Sequence, residues 1–138
     1  MPAVALSLVL GARAGEGAGR DWPHLLGPNL DMSTAETGWL ERPPAGGLRP
    51  EWTYEKGEGY AAPVVAGGRV FLGHRLGDRA VVDCLDLDTG RRLWRYGRPT
   101  TYVDRYNYNG GPRCSPVVAD QRVVMLGADA QLDVLDAR

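Results

Sequence analysis

An all-β fold assembled from repeated four-stranded antiparallel units is what this sequence predicts, and three observations carry that expectation. A block of residues recurs: Ala62-Pro63-Val64-Val65-Ala66 with Arg69-Val70-Phe71-Leu72 returns as Ser115-Pro116-Val117-Val118-Ala119 with Arg122-Val123-Val124-Met125, and Pro63 and Pro116, like Arg69 and Arg122, lie 53 positions apart. The apolar residues come in short β-branched or aromatic runs bounded by Gly, Asp and Asn. Between two such runs stands Asp86-Leu87-Asp88-Thr89-Gly90-Arg91-Arg92-Leu93-Trp94, a DxxTGxxxW turn that starts again at Asp136-Ala137 and is cut off at Arg138. Similarity at a fixed period of this length indicates stacked supersecondary units rather than an ordinary single-core fold.

In chain order, residues 1–20 read as a secretory signal peptide and linker. Ala3 to Leu10 is apolar and is followed by Ala12-Arg13-Ala14, the form of an h-region with cleavage after Ala14, although no basic residue precedes it. Such a run is too short to span a bilayer, so it implies export, to the periplasm or beyond, and no membrane span. Residues 15–20, rich in Gly and Ala, are linker. Residues 21–50 form an irregular lead-in, and 51–138 carry the repeats.

Glu51-Trp52-Thr53-Tyr54 matches Trp94-Arg95-Tyr96 and is expected to be the closing strand of a preceding unit. Val64-Val65 and Val70-Phe71-Leu72 flank Gly67-Gly68, a two-residue loop suited to a hairpin. Val81-Val82 with Cys84-Leu85 is the third strand and Leu93-Trp94 the fourth. The second copy repeats the first three strands, with Asp120-Gln121, a weaker turn, in place of Gly67-Gly68. Four short antiparallel strands per repeat make a propeller blade. The chain therefore holds one closing strand, one full blade and three strands of the next, a partial β-propeller of about two blades.

Leu85-Asp86-Leu87-Asp88-Thr89-Gly90-Arg91-Arg92-Leu93-Trp94, followed by Ser115-Pro116-Val117-Val118 and Arg122-Val123, resembles the blades of the quinoprotein alcohol dehydrogenase-like (PQQ-repeat) propellers, with Asp86, Thr89, Gly90 and Trp94 on the family pattern and Cys84 where it has alanine. The lead-in, with Asp21-Trp22-Pro23, Gly27-Pro28-Asn29 and Glu36-Thr37-Gly38, looks like the start of bacterial envelope proteins of this type. The resemblance implies that Trp94 docks between adjacent blades near the turn glycine. WD-repeat and kelch blades lack the DxxTGxxxW turn, and an immunoglobulin-like sandwich does not explain the 53-residue register.

The resemblance implies a quinone cofactor only where its residues are present. The quinone-dependent enzymes use two adjacent cysteines, a calcium ion held by Glu and Asn, and a catalytic Asp. Cys84 and Cys114 are not adjacent, and no acid pair matches those roles, so no pyrroloquinoline quinone, metal or catalytic residue is expected. The two cysteines read as small core residues rather than a disulfide. Asp83, Asp86 and Asp88 read as turn and edge residues, and His24 and His74 as isolated. No GxSxG, HExxH or phosphate-binding Gly loop occurs. A formal charge of −1, with Lys almost absent against Arg, excludes a basic nucleic-acid face.

If strands alternate in direction, one rim collects the loops around Tyr60, His74 and Arg75 and the segment from Tyr102 to Arg113. That rim offers Tyr60, His74, Arg75, Tyr102, Tyr106, Tyr108, Asn109 and Arg113 as a candidate surface for a protein or carbohydrate ligand. The expected function is a non-catalytic binding or scaffold segment of a propeller in the bacterial envelope, as in outer-membrane assembly lipoproteins with similar repeats, though no lipobox cysteine follows the apolar run. Part of a quinone-dependent dehydrogenase is the alternative. Its partners would be the remaining blades or another chain, because a piece of two blades leaves blade faces and an unpaired third strand in water. A truncated product, a fragment or half of a split propeller is expected on that ground.

Overall fold

The turn residues placed by the sequence are where the chain reverses, and each reversal pairs two strands. The computed structural model describes residues 4–8, for which only backbone pairing is given, 21–36 and 45–138; the linker at 15–20, the cleavage position at Ala14 and Thr37-Gly38 lie outside them. The described chain is all-β. Its strands are β1 (Val4–Leu8), β2 (Trp52–Lys56), β3 (Val64–Ala66), β4 (Arg69–Leu76), β5 (Arg79–Asp86), β6 (Arg92–Pro99), β7 (Val117–Ala119), β8 (Arg122–Leu126) and β9 (Leu132–Asp136). They form three antiparallel sheets, β1-β2, β3-β4-β5-β6 and β7-β8-β9, each strand beside its neighbour in sequence. Among the described residues no helix is long and apolar enough to cross a membrane.

The apolar run at the start of the chain contributes β1, which pairs with β2 from Val4 opposite Lys56 to Leu8 opposite Trp52. In the second sheet Gly67 and Gly68 have φ of 57° and 71°, the two left-handed residues that a tight β3–β4 hairpin requires. Asp120 and Gln121 adopt the same conformation, φ 47° and 59°, so the β7–β8 hairpin makes the same turn without glycine. Arg69 faces Asp86 across β4–β5, and Arg122 faces Asp136 across β8–β9. The copies thus correspond with an offset of 53 at the Arg and 50 at the Asp, because the second hairpin is three residues shorter, 15 against 18 from the Arg to its Asp.

Strand alternation sorts the side chains onto two faces. On one face of the second sheet, Val64, Phe71, Val82 and Cys84 are buried against Val123, Met125 and Ala137 of the third-sheet region, with Trp94 and Tyr96 packed alongside. On the other face Val70, Leu72 and Leu85 are fully buried together with His74 and Asp83. A sheet buried on both faces is the middle layer of a stack, and full burial of each Val, Leu or Phe contributes about 1.5–3 kcal/mol. The lead-in ties the layers together: Trp22 exchanges backbone hydrogen bonds with Val65 at 2.8 and 2.9 Å, and the Val118 N–H donates to the Pro23 carbonyl at 2.8 Å.

Candidate functional site

The DxxTG turn is held by its own side chains. Asp86 Oδ1 accepts from the Thr89 N–H at 2.9 Å and from the Thr89 hydroxyl at 2.6 Å. Gly90 sits at φ 68°, and its N–H donates to the Asp86 carbonyl at 2.9 Å. The Thr89 bonds hold the Asp86 carboxyl below its ordinary range. These are local needs, so Asp86 and Thr89 have a structural occupation. The ring on the glycine is Trp52, not Trp94: a Cβ at Gly90 would lie 2.5 Å from the Trp52 indole, whose Nε1–H donates to the Leu87 carbonyl at 2.9 Å. Trp94 instead leans on Phe71, with centroids 5.9 Å apart at 48°, and its buried Nε1 has no hydrogen-bond partner among the described residues. The staple joins β2 to the turn of the next sheet, because a tryptophan on an outer strand reaches the layer it is stacked on.

His74, expected on the rim, and Asp83, expected at a turn or edge, form a buried cluster with Tyr54 and Arg95. The Gly57 N–H donates to His74 Nδ1 at 2.9 Å, so the ring proton is on Nε2, which donates to Asp83 Oδ2 at 2.8 Å. Asp83 also accepts from the Tyr54 hydroxyl at 2.7 Å and from Arg95 at 2.6 and 2.7 Å. Burial pushes the Asp83 carboxyl up, but the Arg95, His74 and Tyr54 bonds outweigh it and hold the group well below the usual carboxylate range. Asp83 is therefore not an edge or turn residue: it lies mid-strand and fully buried between Val82 and Cys84. A polar residue interrupting an apolar run was the signal that sequence reading passed over.

The same arrangement recurs one layer on. The Tyr96 hydroxyl donates to Asp133 at 3.1 Å as that of Tyr54 does to Asp83. Arg98 reaches Asp133 at 3.0 Å and Asp129 at 2.5 and 2.8 Å, while the Thr100 hydroxyl donates to Asp129 at 2.9 Å. Arg98 is the main cause that lowers the Asp129 carboxyl below its ordinary range. Asp83 and Asp133 are thus equivalent positions that receive their arginine from different layers, Arg95 on the adjacent strand for one and Arg98 on the neighbouring sheet for the other.

The rim expected from strand direction is brought together in part. Arg75 donates from Nη1 to the carbonyls of Tyr102 at 2.6 Å and Gly110 at 3.2 Å, and Glu58 accepts from the Gly110 N–H at 3.1 Å. Asp104 pins the loop: its carboxylate accepts from the Tyr108 N–H at 2.7 Å, the Asn109 N–H at 3.3 Å and Arg113 at 3.2 Å. Between these residues lies an open groove of about 280 Å³, lined by Glu58, Arg75, Tyr102, Asp104, Tyr108 and Asn109. Tyr106 and Tyr108 stand out of the loop as a stacked pair, centroids 6.1 Å apart, 69 % and 77 % exposed. Tyr60 is exposed, with its backbone N–H donating to the Pro112 carbonyl. His74 does not join this surface, because its strand position turns the imidazole into the Asp83 cluster, where it is fully buried.

Chemically the groove offers hydrogen-bonding groups and aromatic faces. Among the described residues no three His, Cys, Asp or Glu side chains gather as they would around a metal ion. Both cysteines are free: Cys84 is buried, and burial pushes its thiol up to about 11, far from the reactive thiolate. Cys114 is exposed, contrary to its expected core position, because it follows the rim loop ahead of β7. No family model, curated protein or solved structure matches the chain.

Proposed function

We propose that this chain is a non-catalytic segment of a PQQ-repeat type β-propeller that works in the bacterial envelope as a binding or scaffold module. Three features support the propeller reading: the 53-residue recurrence, the tryptophan seated on the Gly90 turn, and the repetition of the Tyr–Asp–Arg cluster in successive layers. The secretory character of the first residues supports export to the periplasm. The observation that carries the binding role is the exposed Tyr106–Tyr108 stack beside the groove, held in place by Asp104 rather than by burial of its own rings.

An exposed aromatic pair flanked by Arg75, Glu58 and Asn109 suits a sugar ring or an extended peptide, where flat apolar faces and polar edges alternate. The test is titration of the chain with soluble oligosaccharides and with short peptides, followed by Tyr106→Ala and Tyr108→Ala. Because stacked contacts contribute about 0.5–1.5 kcal/mol each, either substitution should weaken binding roughly three- to tenfold and leave the melting temperature unchanged. Unaltered binding by both variants excludes this rim. Calcium and pyrroloquinoline quinone, added together and followed by desalting, probe the absence of catalysis: a retained chromophore overturns it.

A further inference from the structure

A surface that takes up an extended peptide does so with a row of unpaired backbone N–H and C=O groups. The rim segment has already committed its donors. The N–H groups of five consecutive residues, Asn107 to Gly111, donate in turn to the Asp104 carbonyl, twice to the Asp104 carboxylate, to Glu58 Oε2 and to Asn109 Oδ1. The Tyr102 and Gly110 carbonyls accept from Arg75 Nη1, and the Pro112 carbonyl accepts from the Tyr60 and Ala61 N–H groups. On the facing wall Glu58 and Arg75 exchange backbone hydrogen bonds with each other at 2.9 and 2.8 Å. The stretch from Asn107 to Gly111 therefore offers an incoming strand no donor.

What stays free in the groove is on side chains. Glu58 uses Oε2 for the Gly110 N–H, and its Oε1 has no partner among the described residues. Asn109 uses Oδ1 for the Gly111 N–H and keeps the Nδ2 amide. Arg75 spends Nε and Nη1 on three carbonyls and keeps Nη2. These three residues line the same groove of about 280 Å³. Asp104, on the same lining, is paired with Arg113, and the opposite charges of Glu58 and Arg75 offset each other, so the groove is electrically balanced. Tyr108 lines it too, stacked on Tyr106 with both rings exposed.

We propose that this groove binds a neutral saccharide, with the C–H face of a pyranose ring on the Tyr106–Tyr108 pair and its hydroxyls donating to Glu58 and accepting from Asn109 and Arg75. The assignment rests on the binding role proposed above for the same rim and names its ligand class. A pyranose combines an apolar face with an edge of hydroxyls that both donate and accept, and the groove supplies ring faces, one free acceptor and two free donors. A peptide backbone needs the row of donors that Asn107 to Gly111 withhold. An anionic ligand meets Glu58 as well as Arg75 and gains no net attraction. Ligand sites span about 300–1,000 Å³, so a groove of this size fits a short stretch of a glycan.

Saturation-transfer NMR of the full chain with cellotetraose, maltotetraose and chitotetraose tests the assignment. At least one should bind, with saturation reaching the axial C–H protons of one ring face. Glu58→Gln and Asn109→Asp keep the oxygen that holds Gly110 or Gly111 and invert the free atom, acceptor to donor in one and donor to acceptor in the other. Each should weaken saccharide binding, read by calorimetry, roughly tenfold or more with the melting temperature unchanged. Binding of none of the three overturns the proposal, as does unaltered affinity in either variant or tighter binding of tetragalacturonate than of any neutral tetrasaccharide. If an uncharged tetrapeptide binds instead and Tyr106→Ala or Tyr108→Ala weakens it, the saccharide assignment fails while the binding role of the rim stands; if neither class binds, both fail.

Discussion

At the residue scale the controlling feature is Asp83, a carboxylate removed from water and given three partners in return. Replacing it with Asn leaves Arg95 without its counter-ion and His74 with a poorer acceptor, and breaking a buried pair in this way costs about 3 kcal/mol. Urea denaturation should show that loss, while the apolar neighbours Val82 and Cys84 are untouched. The pH dependence follows from the same group and from Asp129. Both have folded-state values lowered below the roughly 3.9 of an unfolded Asp, so their stabilisation is fully present above that pH and is lost as acid titrates them. The melting temperature should hold from neutral pH down to about 5 and fall steeply below about 4.

At the element scale two turns of the same shape are built from different residues. The β3–β4 hairpin has Gly67-Gly68, whereas β7–β8 holds Asp120 and Gln121 at positive φ, where a non-glycine residue is strained by about 1–2 kcal/mol. Gln121→Gly should therefore raise stability by about 1 kcal/mol, seen as a higher melting temperature. Gly90→Ala should do the reverse. It combines a left-handed backbone with a methyl group 2.5 Å from the Trp52 ring, so a loss of about 2 kcal/mol and a red-shifted Trp emission are expected. These turns were legible in the sequence because Gly, Asp and Thr are chosen for local backbone reasons. The partner of the Gly90 turn was not, since Trp52 and Trp94 have the same local context and only the stacking of sheets decides which of them lies on the glycine.

At the scale of the whole molecule the second sheet is the rigid element, buried on both faces, and the third is covered on one. Amide hydrogen exchange should follow that order, with β4 and β5 slowest and the outer edge of β9 fast. The strands from β2 to β9, the hairpins and the 53-residue register could be read from the chain, because alternation, β-branched runs and turn residues are properties of neighbours in sequence, whereas β1, in the apolar run expected to be a secretory h-region, has no such signal and is a strand through its pairing with β2. The rim was legible as a cluster of loops, since strand direction alone puts Arg75, Tyr102 and Tyr108 at one end. What the tertiary structure decided were the long-range pairings: His74 and Asp83 drawn inward to Tyr54 and Arg95, Arg98 crossing to the next layer, and Trp52 stapling a turn 38 positions away. Spacing along the chain marks β2 to β9 and the turns between them; which buried charges meet, which faces stay open and that the first apolar run is a strand all depend on the stacking and pairing of layers, because charge pairing and apolar cover are set by distance in space.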